Sequence, residues 1–368
     1  MKNRHALWLF VCVEVVIILG SGSGDLRAEW QQIELAARKE GQVVVSLPPS
    51  ADLRIQLEKA FEGRFAKIDL VPVPARGAIN VRKIATESTA GVHYFDVHIG
   101  GTYSMLIGLV KPRLVSAVEP YMILPEVKEP KNWWGGHIYA DKTKRFAYSF
   151  AAYLSQNLYY NSKLMRPDQI RSYEDLLDPK WKGKMGFLDP RVPGPGDATW
   201  SYIWNVKGED YLKKLVDQDL TIVRNPRVLA DSLAKGKLAM TIGVPYYFMA
   251  PFLQADFPVK AFPIPKEGTY VTAGTGNLTI LKDPPHPNAT KVFVNWLLGK
   301  EGQETFSKAM NQASRRFDVS SSLIGSYGTV LAKEALSVKD YYQHEIGSEE
   351  KIKKVRIPAL DFARKLLK

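Results

Sequence analysis

Apolar positions in the first third of the chain alternate between a helical and an extended period. Over residues 29–41 (EWQQIELAARKEG), Trp30, Ile33 and Ala37 share one helical face, and Gly41 marks the stop. Residues 42–47 (QVVVSL) are a continuous apolar run, the kind of strand that a parallel sheet buries on both faces. Leu53, Leu57, Phe61 and Phe65 then recur at a helical spacing. The run IDLVPV (68–73) is extended. Val81, Ile84 and Ala85 mark a third helix that ends near Gly91, YFDVHIGG (94–101) is the next strand, and Tyr103–Val110 a short helix. This order predicts a βαβαβ unit with a parallel sheet and right-handed crossovers.

A second block follows a Trp/Gly-rich loop (NWWGGH, 132–137). The stretch 145–161 (RFAYSFAAYLSQNLYYN) is long enough to run from one domain into another, and 258–275 is a second extended stretch. Between them, SYEDLLDPKWKGKMGFLDP (172–190) predicts helix, turn and strand. PGPGDAT (193–199) opens a helix, Tyr211–Val216 is helical, DLTIV (219–223) is a strand and PRVLADSLAKG (226–236) a helix with Pro at its first turn. KLAMTIG (237–243) is again a strand, and HPNATKVFVNWLLG and KEGQETFSKAM are two helices. Two α/β blocks joined by two extended stretches place the carboxyl ends of two sheets around a cleft, where open sheets bind ligands.

Composition adds compartment and excludes several chemistries. With 368 residues, 45% hydrophobic and 24% charged, the chain is long enough for two α/β domains. Lys2, Arg4 and His5, the apolar stretch 6–20 and the SGSG that follows have the layout of an export leader, expected over residues 1–28, with Glu14 its one irregularity. An uncleaved membrane anchor is the alternative. The single cysteine, Cys12, lies inside the apolar stretch, so the mature chain is expected to carry no disulfide, thiol or lipidated cysteine. The net charge of +12 is spread along the chain and carries no nucleic-acid motif, so no nucleic-acid partner is expected. No GxSxG elbow, HExxH pair or phosphate-binding loop is present, and GTG at 274–276 is too short to be a nucleotide fingerprint, so no enzyme is expected.

Several polar positions follow the strands. In PGPGDAT, Gly196, Asp197, Ala198 and Thr199 open a helix whose amino end suits an anion, with Asp197 alternatively the cap. Gly101 and Thr102 end a strand and open a helix by the same logic. Ser46 and Ser50 flank Pro48 and Pro49, where hydroxyls could meet a polar ligand. Arg76 could hold a carboxylate or phosphate in two hydrogen bonds, or be a solvated cation. His93 and His98 bracket a strand and read as structural. Adjacent tyrosines occur at Tyr159-Tyr160, Tyr246-Tyr247 and Tyr341-Tyr342, and the sequence pattern by itself does not choose among them.

The stretches SYEDLLDPKWKGK, PGPGDATW, DSLAKGKLAMTIG and PHPNATKVFVNWLLGKEGQETFSK, in this order over roughly residues 30–318, resemble the extracellular solute-binding proteins of ABC importers, in the branch that includes ferric-iron-binding proteins. The resemblance implies an α/β periplasmic-binding fold of type II, with two lobes and two hinge crossovers: lobe 1 from 29–148 and 262–315, lobe 2 from 149–261, and a helical segment 316–368 on lobe 2. It implies a monomer in the periplasm, no cofactor, a small solute in the cleft and an inner-membrane ABC permease as partner. In ferric-binding relatives two adjacent tyrosines follow the strand matching KLAMTIG, which selects Tyr246 and Tyr247 as ligand-binding. Those relatives add a His after the first strand and a Glu after the strand matching YFDVHIG. Here SLPPSADL (46–53) has no His and GGTYS (100–104) no Glu. The expected solute is therefore a small anionic or polar organic compound or a metal chelate, with Fe(III) gripped by Tyr246 and Tyr247 as the alternative, and a secreted enzyme or a sensor domain on the same fold as the less favoured readings.

Overall fold

The structure is a computed structural model that describes residues 21–155, 157–324 and 330–368. Residues 1–20 of the expected leader, Cys12 among them, lie outside these. The rest of that leader, from residue 21, belongs to helix α1 (Ser21–Glu40). No described helix is long and apolar enough to cross a membrane.

Lobe 1 begins with the predicted alternation. After α1 come β1 (Gln42–Leu47), α2 (Ala51–Arg64), β2 (Asp69–Pro74), α3 (Gly77–Thr89), β3 (Val97–Ile99) and the short α4 (Thr102–Met105). The helix predicted to Val110 does continue, but its second half, Leu106–Val110, is a π-type turn. Next are β4 (Val115–Ser116), α5 (Pro125–Lys128) and β5 (Tyr148–Ser149). The chain then leaves through β6 (Tyr153–Leu154) to lobe 2.

Lobe 2 comprises β7 (Leu158–Asn161), β8 (Met185–Leu188), α6 (Pro195–Val216), β9 (Thr221–Val223), α7 (Pro226–Ala234), β10 (Met240–Ile242), α8 (Tyr246–Gln254) and β11 (Val259–Ala261). The helix predicted over SYEDLLDP is a pair of 3-10 turns, Tyr173–Leu177 and Pro179–Trp181, because Pro179 stops the first and opens the second. The two helices expected around residues 200 and 213 form one element, interrupted at Gly208.

The return passes through β12 (Val271–Thr272) to β13 (Asn277–Leu281), α9 (Pro287–Leu298) and α10 (Lys300–Met310). β14 (Val330–Leu331), α11 (Ala332–Ala335), α12 (Val338–His344), α13 (Glu349–Lys351) and α14 (Ile357–Leu366) complete the described chain.

The lobe 1 sheet is finished by a strand that arrives only after the chain has returned from lobe 2, whereas the lobe 2 sheet is built from one continuous stretch. In lobe 1 the order is β2-β1-β3-β13-β4, with β5 also on β13; β1 runs parallel to β2 and β3, and β13 antiparallel to β3. In lobe 2 the order is β11-β7-β10-β8-β9, with β8 parallel to β9 and β10, and β7 antiparallel to β10. The crossover strands pair with each other, Val271 opposite Leu154 and Thr272 opposite Tyr153, and β14 joins β6 from the other side.

Side-chain alternation in β1 explains the apolar run. Val43, Val45 and Leu47 join Phe61, Phe293, Trp296 and Phe306 on one face, and Val44 joins Val81, Ile84 and Leu109 on the other. Ahead of the first crossover, the buried Asp141 carboxylate accepts hydrogen bonds from the Thr143 hydroxyl and from the N–H groups of Arg145, Phe146 and Ala147.

The segment after residue 316 touches both lobes. Tyr341 lies in a cluster with Trp134 and Val271, Ile352 among Met105, Leu106, Ala140 and Ala147, and Ala359 and Ala363 in the lobe 2 core with Trp200.

Burial pushes the Asp141 carboxyl up, but its four hydrogen bonds outweigh that and hold it below the usual range. A depressed carboxylate adds stability above its unfolded pKa of about 3.9, and that stability is lost as pH falls through the folded value. Asp141→Asn is expected to lower unfolding free energy by about 1–3 kcal/mol at pH 7. In urea melts at a series of pH values the gap to wild type should close as pH drops below about 4; a gap independent of pH would contradict this assignment.

Candidate functional site

Two helices of lobe 2 start at the carboxyl ends of neighbouring parallel strands. α6 follows β8, and α8 follows β10. Gly196, in the first turn of α6, sits so close to the strand that a Cβ there would lie 2.2 Å from the Leu188 carbonyl oxygen. Gly243 (φ +84°) closes the other side: its Cβ would come 3.0 Å from Gly196 Cα. Small residues at both positions bring the amino ends of α6 and α8 together. The first-turn N–H groups of each helix have no intrahelical acceptor and carry the positive end of the helix dipole.

Tyr246 and Tyr247 are the first two residues of α8, and both are half-buried. They stand among other phenols. Burial raises the Tyr159 hydroxyl pKa, and the nearby Tyr246 raises it further. Tyr153, on the crossover strand, is raised well above its ordinary value by burial and then by Tyr270, Tyr247 and Tyr159. Tyr247 packs against the core of lobe 1 and has Phe248 beside it, ring centroids 4.8 Å apart. Its own pKa is raised by burial and lowered in part by the Arg76 cation of lobe 1. The pair therefore sits where the two lobes meet.

The other expected site residues divide into two sets. Arg76, exposed at the start of α3, donates from Nη1 to the Arg224 carbonyl oxygen (3.1 Å), a bridge between the lobes at the cleft rim. Thr199 is buried and donates back to the Pro195 carbonyl, and Ala198 is buried beside it. Gly101 caps α4, and Thr102 is its first residue, buried under Gly347 of the C-terminal segment. Thr102 also lines a cavity of about 30 Å³ with Ser149, Asn277, Tyr341 and Glu345, which is room for a single water.

Three residues have their polar groups engaged within the protein. Ser46 shares a 2.8 Å hydrogen bond with His98 inside the lobe 1 sheet, where burial pushes His98 down to about 4 and keeps it neutral. Ser50 caps α2, accepting from the Leu53 N–H. Asp197 is not the cap of α6, which is Gly194; its fully buried carboxylate pairs with Arg356 and accepts from the Ser201 hydroxyl (3.1 Å). Burial raises Asp197, and Arg356 partly offsets this.

The partners that complete the cleft carry little local signal in the sequence. Tyr270 accepts a 2.7 Å hydrogen bond from Asn157, joining the two crossovers. Tyr159, a member of another Tyr pair, lies beside Tyr246, and its cue is its place after the first crossover. Arg224 donates to the buried Asp189 carboxylate (3.1 Å), which Arg191 also binds. Arg356 gave no cue, since it stands in a charged helix 159 residues from Asp197. Among the described residues no group of three His, Cys, Asp or Glu side chains is placed to hold a metal.

Solved structures share this architecture. The periplasmic binding protein AfuA of Actinobacillus pleuropneumoniae, with fructose-6-phosphate bound, is 21% identical and superimposes with a TM-score of 0.65 over 88% of this chain and 99% of its own. Iron-bound HitA of Pseudomonas aeruginosa is 18% identical, with a TM-score of 0.65 over 88% and 99%. The substrate-binding protein of an ABC transporter from Agrobacterium tumefaciens is 12% identical, with a TM-score of 0.69 over 90% and 96%. At these identities the likeness shows the fold, a type II periplasmic-binding architecture. A Haemophilus influenzae protein described as uncharacterized is 26% identical over 218 residues, a match that spans 57% of this chain and 60% of that protein. The family model for bacterial extracellular solute-binding proteins matches residues 50–304, and the chain belongs to that family.

Proposed function

We propose that this protein captures a small anionic solute, or a metal carried as an anionic chelate, in the cleft between its lobes. It would then deliver it, as a periplasmic monomer, to an ABC import permease of the inner membrane. The observation that carries this reading is the meeting of the α6 and α8 amino ends, with Tyr246 and Tyr247 between them and lobe 1. Helix amino ends take anions, phenols donate hydrogen bonds and offer ring faces, and Arg76 adds a cation from the facing lobe. Gly196, Ala198 and Thr199 form the opening of α6 beside this site, Gly101 and Thr102 open α4 in lobe 1, and Ser46, Ser50 and Asp197 are engaged within the protein.

No bond is made or broken in this mechanism. Capture works because the solute touches both lobes only when they are closed, so it binds the closed state more tightly and shifts the population toward it. The ligands named for two fold neighbours, a sugar phosphate in AfuA and iron in HitA, both fall within the proposed solute class.

Ferric iron is the second reading, favoured by the adjacent phenols at the start of α8. Phenolate is a hard anionic donor, as Fe(III) requires. Burial keeps the Tyr247 phenol protonated, so the metal itself would have to displace the proton. Two phenolates would leave the remaining coordination positions to the oxygens of a chelator.

Purified protein is expected to melt at a higher temperature in the presence of millimolar phosphate esters or carboxylates, and not with the corresponding neutral sugars. The Tyr246→Phe, Tyr247→Phe double variant should bind the active anion at least tenfold more weakly, about 1.4 kcal/mol. A shift produced only by neutral solutes, or unchanged affinity in the double variant, would sink the anion reading.

The iron reading has its own signature. Ferric citrate should then produce a visible phenolate-to-iron charge-transfer band that the double variant lacks. No band in the wild-type protein retires iron as a directly bound cargo.

A further inference from the structure

The segment 345–357 runs between the lobes, apart from the Arg76–Arg224 bridge. Ile346 packs in the lobe 2 core cluster with Tyr202 and Tyr270. The Glu349 N–H donates to the Ala140 carbonyl (2.9 Å), and the Lys142 N–H donates to the Glu349 carboxylate (2.8 Å). Ile352 is buried in lobe 1 beside Met105 and Leu106. The chain then enters α14, which lies on α6: Trp200 Nε1 donates to the Ala359 carbonyl (3.0 Å), and Arg191 Nη1 donates to the Leu367 carbonyl (2.6 Å).

Arg356 stands at the crossing. Its Nη2 pairs with the buried Asp197 carboxylate and donates to the Gly194 carbonyl (3.3 Å), both in the opening turn of α6. Its guanidinium lies over the Tyr103 ring of α4, 5.0 Å from the centroid. One side chain therefore holds the amino end of a lobe 2 helix against a lobe 1 helix. A guanidinium can do this because it is planar and always charged, pairing through its edge and stacking through its face.

We infer that Arg356 is a positioning residue for lobe closure: it fastens α6 to α4 on one side of the hinge, so the cleft opens at the Arg76–Arg224 rim. The rim bridge is a single exposed hydrogen bond, whereas the Arg356 guanidinium lies over the Tyr103 ring with Ile352 buried in lobe 1 four residues away, so the rim parts first. The inference rests on the two-lobed binding fold and not on the solute's identity.

Distances between spin labels test it without any ligand. In a Cys12→Ser background, one label pair at Ile107→Cys and Val206→Cys reports the fastened side. A second pair at Ile79→Cys and Val228→Cys reports the rim. All four positions are exposed. In the wild-type background the fastened side should give one narrow distance and the rim a broader spread.

The Asp197→Asn, Arg356→Met double variant removes both charges and so leaves no lone buried ion. It should lengthen or broaden the fastened-side distance by more than about 2 Å, the scale of loop and hinge rearrangement. Arg356→Lys, which keeps the cation, should restore the narrow distance at least in part. Tyr103→Leu removes the lobe 1 partner while leaving the ion pair in place, and serves as a second, independent variant should the double variant fail to fold; it should broaden the same distance. The inference is overturned if the fastened side is as broad as the rim in wild type. It is equally overturned if the folded variants leave the fastened-side distance unchanged or broaden both sides alike.

Discussion

Lobe 1 cannot complete its sheet until the chain has crossed to lobe 2 and returned. β13 occupies the middle of the lobe 1 sheet between β3 and β4, and it is made only after the chain has returned from lobe 2. β7 holds the matching place in lobe 2, next to β10, and it is the first strand after the outward crossover. Both inserted strands run antiparallel to their neighbours, so each crossover enters its sheet at the edge of the cleft. Because β6 and β12 hydrogen-bond to each other, the two sheets are held with the ends of their parallel strands facing. The α6 and α8 amino ends, set side by side by the neighbouring strands β8 and β10, are thereby turned toward lobe 1.

Buried charge then decides what the cleft can hold. Asp197 would place a negative charge inside the first turn of α6, where an incoming anion would meet it; Arg356 cancels that charge from a distant part of the chain. Asp189 is balanced in the same way by Arg191 and Arg224. Arg315 meets no carboxylate among the described residues. It is fully buried, donates to the carbonyls of Ser149 and Gly136, and lies against the rings of Trp133 and Tyr148. Its charge is met by peptide dipoles and aromatic faces beside the first crossover, an arrangement that ties the turn at 314–316 to the strand leaving lobe 1.

The fold was largely legible because it rests on periodicity. The continuous apolar run of β1, the helical spacing of Leu53, Leu57 and Phe61, and the glycine stops are all local signals. Where reading failed it was over short, tightly turned pieces: the π turn at 106–110 and the 3-10 turns at 173–181 carry helical spacing without enough length to show their true pitch. The site was legible in part. The position of Tyr246 and Tyr247 after a strand brought them to the interlobe surface, as did the glycines of PGPGDAT. Roles that depend on contact across the chain were not legible. Asp197 has the local look of a cap, and only the fold shows its partner to be Arg356. Ser46 has the look of a ligand hydroxyl, and only the register of β1 against β3 sets it opposite His98.

The central claim is that the α6 and α8 amino ends, with Tyr246 and Tyr247, hold an anion between the lobes. Native mass spectrometry of the protein released from the periplasm of cells expressing the full chain reads this most directly. The account predicts a bound species with the mass and charge of a small anion or anionic chelate, lost when both tyrosines are replaced by phenylalanine. A neutral ligand, or an anion retained at the same occupancy in the double variant, would contradict it.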